Sequence, residues 1–347
     1  MAEYNPPSSD ALTLKLWAKK AFADSVKPTL FGKLMGTKDT SIVQVKDDLK
    51  KSAGDRVRFR LRALPQGQGV TGDETLEGNE EGMSFSYMDL NIDLMRYADK
   101  VDMKMGQQRS IFDVRSEAKD MHAEWWDERY DSYFLRTLSG DTTLSFAGNT
   151  ITAPTSVIFG GNATATGDID VNDVFDLTAI DRAVEKAKLA SPTMRKADFG
   201  GKKGYVCILH PYQVYNLRTN TNAGQWLDIQ KAAMQGGKTS DNPIWSEALG
   251  VYNDVILVES TRVRTYSNWG AGSIAGARAL FLGAQAGVVA FGRGYEGAGR
   301  FDWTEKTFDY GKYLGVATDC IWGLQKSVFN SADFAVIAID TAAKSHS

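Results

Sequence analysis

Between Ser110 and Gly140 apolar residues return every three or four positions, and no Pro or Gly interrupts before Gly140 itself. Ile111, Val114, Ala118, Met121 and Trp125 fall on one face at that spacing, which predicts a long amphipathic helix. Ser110 is placed to cap its start, with Asp113 three residues on in a variant of the capping box. Gly140 stands where a left-handed C′ residue belongs, a conformation glycine adopts without a Cβ clash. Such a helix spans roughly 43 Å at about 1.5 Å per residue, enough to cross a whole domain. Its other side carries Glu117, Asp120, Glu124, Asp127, Glu128 and Asp131. Like charges at helical spacing repel, so this stripe is either a solvated face or one that a basic partner covers.

Period two governs the stretch before the helix. In Arg56–Leu64, Val57, Phe59 and Leu61 alternate with Arg56, Arg58, Arg60 and Arg62, a strand with a cationic face. In Ser84–Met95, Met88, Leu90, Ile92 and Leu94 alternate with Asp89, Asn91 and Asp93. The Gly-rich segment between them is acidic at Asp73, Glu74, Glu77, Glu80 and Glu81. Two such strands and a long polar connection predict a projecting hairpin. Two strands alone are marginal in water, so the hairpin must lie on another surface, in this subunit or the next.

Elsewhere the pattern is mixed. Residues 1–10 carry Pro6-Pro7 and few apolar positions, which predicts a disordered start; residues 12–22 suit a short amphipathic helix; Ile42, Val43 and Val45 suit a short strand. Residues 141–170 look irregular, and Val171–Ala190 helical, with Pro192 beyond. Strands are predicted at Tyr205–Leu209, Val255–Val258, Ala279–Leu282, Val288–Phe291, Phe301–Phe308, Gly315–Trp322 and Phe334–Ile339. Short helices follow His210-Pro211 and cover Gly224–Met234. The fold class is α+β with mixed sheets and long extensions.

Composition narrows the function classes. The 347 residues are 43% hydrophobic, enough for a sizeable core. A net charge of −3 gives no general attraction to nucleic acid or anionic membrane. No apolar run is long enough for a transmembrane helix, and the first residues lack the basic and apolar regions of a signal peptide. Cys207 and Cys320 read as free thiols of a reducing compartment.

Motifs of catalysis and ligand binding are weak. Gly292–Gly297 matches GxGxxG after a strand, yet Phe301, Trp303 and Phe308 promise a strand where a dinucleotide site needs a helix. Gly237-Lys238-Thr239 lacks the first glycine of a phosphate loop. Asp168, Asp170 and Asn172 have calcium-loop spacing without its Gly and Glu. His122, His210 and His346 have no partner at metal-ligand spacing, so no metal or cofactor is expected. Trp125, Trp126, Tyr130, Tyr133 and Phe134 read as core.

The order of parts and several segments resemble the major capsid proteins of tailed bacteriophages. The segments are KDDLKKSAGDRVRFRLRALPQGQGVTGDETLEGNEE, MKMGQQRS, LHPYQVYNLR (Leu209–Arg218), NPIWSEALGVYNDVILVE (Asn242–Glu259), ALFLGAQAGVVAFGR (Ala279–Arg293) and the stretch Asp309–Thr341. The resemblance implies the tailed-phage major capsid fold: an N-terminal arm (1–54), an extended hairpin loop (55–95), a peripheral domain with the spine helix (96–175 and 275–347) and an axial domain (176–274). It implies a structural protein, not an enzyme, whose hexamers and pentamers form an icosahedral shell in the virion. The shell would enclose double-stranded DNA without sequence-specific binding and be assembled in the bacterial host cytoplasm. It also implies a separate scaffolding protein and a portal, with a decoration protein left open and no membrane partner. Encapsulin shells share this fold and are the alternative; a nucleotide-binding enzyme using Gly292–Gly297 is the alternative of another class. Charge spacing adds one expected contact between subunits: Arg58, Arg60 and Arg62 of the hairpin against Glu124, Asp127, Glu128 and Asp131 of the helix. The competing arrangement has Asp89 and Asp93 neutralising the arginines within the hairpin, or arm lysines such as Lys15 and Lys19 covering the helix.

Overall fold

The computed structural model describes residues 30–47, 49, 54–62, 69–82, 85–102, 108, 114–199, 201–220, 222, 248–270, 272–293 and 301–344. The expected helices at 12–22 and 224–234, the cap at Ser110 and Asp113, Gly237–Thr239, His346, Lys15 and Lys19 lie outside them.

Two sheets share one apolar core. The first runs Met35–Gly36, Val43–Lys46, Gly287–Phe291, Tyr313–Lys326, Phe301–Phe308, and Asp93–Asp102 also pairs with Tyr313–Lys326. The second runs Val157–Phe159, Val336–Ala342, Ile274–Leu282, Lys202–Leu209, Val255–Glu259, Ala248–Tyr252, with two short strands at its margins. Val255–Val258 and Tyr205–Leu209 are apolar throughout because both faces of these parallel neighbours are buried. The second sheet takes strands from both sides of residue 275, so hydrogen bonding does not break at the expected boundary between axial and peripheral domains.

The spine helix covers Val114–Leu138 and lies on one face of the first sheet. Its buried side is Ala118, His122, Ala123, Trp126, Tyr130 and Phe134. The phase expected from apolar spacing is therefore rotated: Met121 is 49% exposed, while His122 is wholly buried. Burial there selects groups that hydrogen bond, and Trp126 and His122 both reach the Thr318 hydroxyl at 2.8 Å. The C-terminus ends as the glycine predicts. Gly140 has φ +70°, its N–H donates to Thr137 O at 3.2 Å, and Asp141 N–H donates to Arg136 O at 3.0 Å, the paired bonds of a Schellman motif. Arg278 then ties this end to the second sheet, forking onto Asp340 with two bonds of 2.7 Å and donating to Ser139 O at 3.0 Å.

The helix expected at 171–190 covers Leu177–Leu189, because the Asp176 side chain accepts from Ala179 N–H at 2.9 Å and fixes the start. The strand expected over 84–95 divides at Ile92. Asn149 takes both backbone groups of Asn91, accepting its N–H at 2.9 Å and donating to its carbonyl at 2.8 Å. Phe85–Asn91 thus stays with the hairpin, and Asp93–Asp102 joins the first sheet.

Candidate assembly surfaces

The hairpin pairs Arg56–Arg62 with Phe85–Asn91 in antiparallel register, Arg58 opposite Asp89 and Phe59 opposite Met88. Val57, Phe59, Met88 and Leu90 pack with Leu49 on Val288 and Ala290 of the first sheet. The root of the hairpin therefore rests on its own subunit. Beyond it, residues 69–82 contain no helix or strand and are exposed except for a half-buried Val70.

The cationic face is largely engaged within the hairpin. Arg58 forks onto Asp89 at 2.7 and 2.9 Å and stacks on Tyr87 at 4.5 Å. Arg56 bonds Asn91 at 3.0 Å and stands 3.7 Å from Asp89. Arg60 stacks on Phe85 at 5.8 Å. Arg62 is placed only by its backbone pairing with Phe85. The arrangement in which Asp89 neutralises the arginines is thus the observed one for Arg56 and Arg58. The cause is register, since directly opposite residues share a face and sit close together.

Helix charges separate into two groups. Glu117, Asp120, Glu124 and Glu128 are exposed, together with Met121. Asp131 is 6% exposed and turned inward. It accepts the N–H groups of Leu30 at 3.3 Å and Phe31 at 2.9 Å, capping the short arm helix Leu30–Leu34, and it pairs with Arg262 at 2.9 Å. Burial pushes its carboxyl up against the pull of those amides and Arg262. Asp131 is therefore unavailable to a neighbouring subunit, which corrects the expected contact. Asp127 is half-buried, with its Oδ1 enclosed and without a hydrogen bond, and burial and the Asp131 charge raise its pKa.

Other candidate groups have packing roles. At Gly292 a Cβ would meet Ile321 Cγ2 at 2.5 Å, so the glycine permits close approach; the next described element is the strand Phe301–Phe308. Asp170 accepts from Asn172 N–H at 2.7 Å and Asp168 from Thr164 at 2.7 Å, bonds that shape a turn. His210 and Gln213 form a capping box at Pro211–Thr219. Cys207 and Cys320 are buried and unbridged, and burial pushes the Cys207 thiol up. Among the described residues no group of His, Cys, Asp and Glu is arranged to hold a metal ion.

Sequence spacing missed one cluster. Lys100, Lys306 and Lys312 gather around Phe308 and Tyr313, each ammonium between 4.3 and 5.3 Å from a ring centroid. Lys100 and Lys306 come from two strands and Lys312 from the turn after Phe308, so strand register is what brings Lys100 to the other two.

A family model for phage capsid proteins matches residues 5–345. The chain belongs to the phage capsid protein family. It is 28% identical over 370 residues to the major capsid protein of Pseudomonas phage KPP25, covering 94% of each sequence. The capsid of Ralstonia phage GP4 superposes with a TM-score of 0.81 at 34% identity, covering 91% of each chain. The capsid of cyanophage Pam1 shares the fold at a TM-score of 0.74 and 20% identity, covering 99% of each chain. This chain is accordingly a major capsid protein, a structural subunit of a phage shell with the tailed-phage coat fold.

Proposed function

We infer that the chain assembles as hexamers and pentamers into a closed icosahedral shell around packaged double-stranded DNA. Assembly takes place in the host cytoplasm, with a separate scaffolding protein and a portal. The observation that carries this reading is the likeness to the Ralstonia phage GP4 capsid over 91% of both chains. Charge agrees with it: a net −3 leaves no general grip on the DNA that must enter and leave. In the shell, the spine helix and first sheet serve as the peripheral part and the second sheet as the axial part.

Expression with the scaffolding protein, followed by sedimentation and negative-stain microscopy, tests the reading. Closed shells or ring-shaped capsomers are expected. A monodisperse monomer at high concentration overturns it. Nuclease-protected DNA in particles from infected cells is expected for the phage role, whereas a protein cargo in its place identifies an encapsulin-like compartment.

A further inference from the structure

On the exposed acid face of the spine helix Lys119 pairs with Asp120 at 3.0 Å, while Glu117, Glu124 and Glu128 have no ion pair among the described residues. Arg56 and Arg58 of the hairpin engage Asp89, and Arg58 and Arg60 stack on Tyr87 and Phe85. A second surface has the complementary character. Strand register places Lys306 opposite Gly315 and Gly315 opposite Lys100, so the two lysines flank a glycine about 10 Å apart, two strand spacings. The next row on the same face is Phe308, Tyr313 and Asp102. Phe308 lies across Gly315, where a Cβ would meet its ring at 2.6 Å. Beyond the row, the turn carries a fully exposed Tyr310 and Lys312. Asp102 and Asp309 border the patch and are outnumbered by the three lysines. Lys100, Lys306 and Lys312 have ring contacts but no ion pair among the described residues.

The spine helix presents the counterpart. Glu117, Met121, Glu124 and Glu128 follow one another at helical spacing on the exposed side, with Asp120 beside them. Glu117 and Glu124 are seven residues apart, about 10.5 Å along the axis, which matches the separation of the two lysines. Met121 stands between the acids as Phe308 stands between the lysines. A thioether against an aromatic ring is a favourable apolar centre for a contact rimmed by charge.

Within one subunit these surfaces cannot meet. The helix packs on the sheet face that carries Leu314, Val316 and Thr318, and the lysine patch is on the reverse face. Only a second copy can bring them together. We propose that the lysine–aromatic face around Phe308 of one subunit docks on the acidic face around Met121 of another copy. Such a contact joins different patches on the two partners. It is therefore head-to-tail and generates rings or closed arrays rather than isolated dimers. This inference rests on the shell reading and assigns one of its contacts.

Charge exchange tests it. Lys100→Glu with Lys306→Glu, and separately Glu117→Lys with Glu124→Lys, should each abolish the shell peak in sedimentation while the far-ultraviolet circular dichroism stays that of the wild type. Combining all four should restore shells. Normal assembly of the first pair overturns the proposal. So does its rescue by Glu74→Lys with Glu77→Lys instead, which assigns the hairpin loop as the occupant. Should a charge variant fail to fold, Met121→Cys with Phe308→Cys in wild-type background provides the second measurement. Oxidised particles should then give a ladder of linked subunits, and particles without a ladder overturn the contact. If the wild-type chain itself forms no shells, it is the shell reading that fails.

Discussion

Thr318 has one hydroxyl proton, and its neighbours decide where it points. Trp126 Nε1 is a donor only, so at 2.8 Å the Thr318 oxygen must accept from it. That leaves the Thr318 proton available to His122 Nδ1, also at 2.8 Å, in the tautomer that keeps the His122 proton on Nε2, the nitrogen 3.3 Å from Asp99. Tyr97 faces the ring edge and holds the other Asp99 oxygen at 3.0 Å. Burial lowers the His122 pKa, outweighing the opposing pull of Asp99. A histidine with a depressed folded pKa gives stability that is complete above its unfolded pKa. That stability is lost as pH falls from there toward the folded value. The melting temperature of wild type should therefore fall more than that of His122→Gln between about pH 7 and about pH 5. Equal slopes would remove His122 from the acid response. Asp131 gives a second residue-scale outcome. Asp131→Ala removes an N-cap and leaves Arg262 without its carboxylate, at a cost of about 1–2 kcal/mol in chemical denaturation. Neither role is legible in the sequence, because the partners lie 196 and 100 residues away. What was legible was residue type at fixed spacing. That placed Asp131 on a charged stripe without showing that the stripe turns inward at its end.

At the scale of elements, local signals and partner choice part company. The spine helix, its glycine stop, the hairpin and most later strands follow from periodicity, because each depends on neighbours a few residues away. The break at Ile92 does not, since Asn149 causes it from another part of the chain. Nor does the strand Asp93–Asp102, whose pairing with Tyr313–Trp322 is set by the sheet. The helix stop can be tested. At Gly140 a Cβ would lie 2.7 Å from Pro154 Cδ and 2.8 Å from Thr152 O, on top of the strain of φ +70°. Gly140→Ala should cost roughly 1–3 kcal/mol, read as a shift of the denaturation midpoint at unchanged slope. Removal of residues 66–82 should have the opposite profile. The described part of this loop adds nothing to the apolar clusters, so cooperative unfolding is retained, and the loss appears in shell yield. Loss of cooperative unfolding would place the loop inside the folding unit.

At the scale of the whole molecule, the subunit carries an acid-rich patch on the helix side of one sheet and a lysine-rich patch on the reverse of the same sheet. Glu117, Asp120, Glu124 and Glu128 are on the helix side, and Lys100 and Lys306 are on the reverse. A chain with a net charge of −3 has little long-range attraction for its copies, so orientation must come from local patches. Exposed pairs are worth about 0.2–1 kcal/mol each, too little to hold a dimer. In a ring every subunit makes the contact twice, once with each face, and the small terms accumulate over the closed assembly. Their signature is sensitivity to salt. The screening length is about 10 Å at 0.1 M and falls to about 3 Å at 1 M, shorter than the spacing within either patch. Assembly followed by light scattering should therefore slow markedly as salt is raised over that range. The apolar centre of Met121 against Phe308 is strengthened by excluded salts such as sulfate. Chloride and sulfate at equal ionic strength should then diverge, chloride slowing assembly more. Rates that are independent of salt, or equal in the two salts, would mean that the association is carried by surfaces other than this pair.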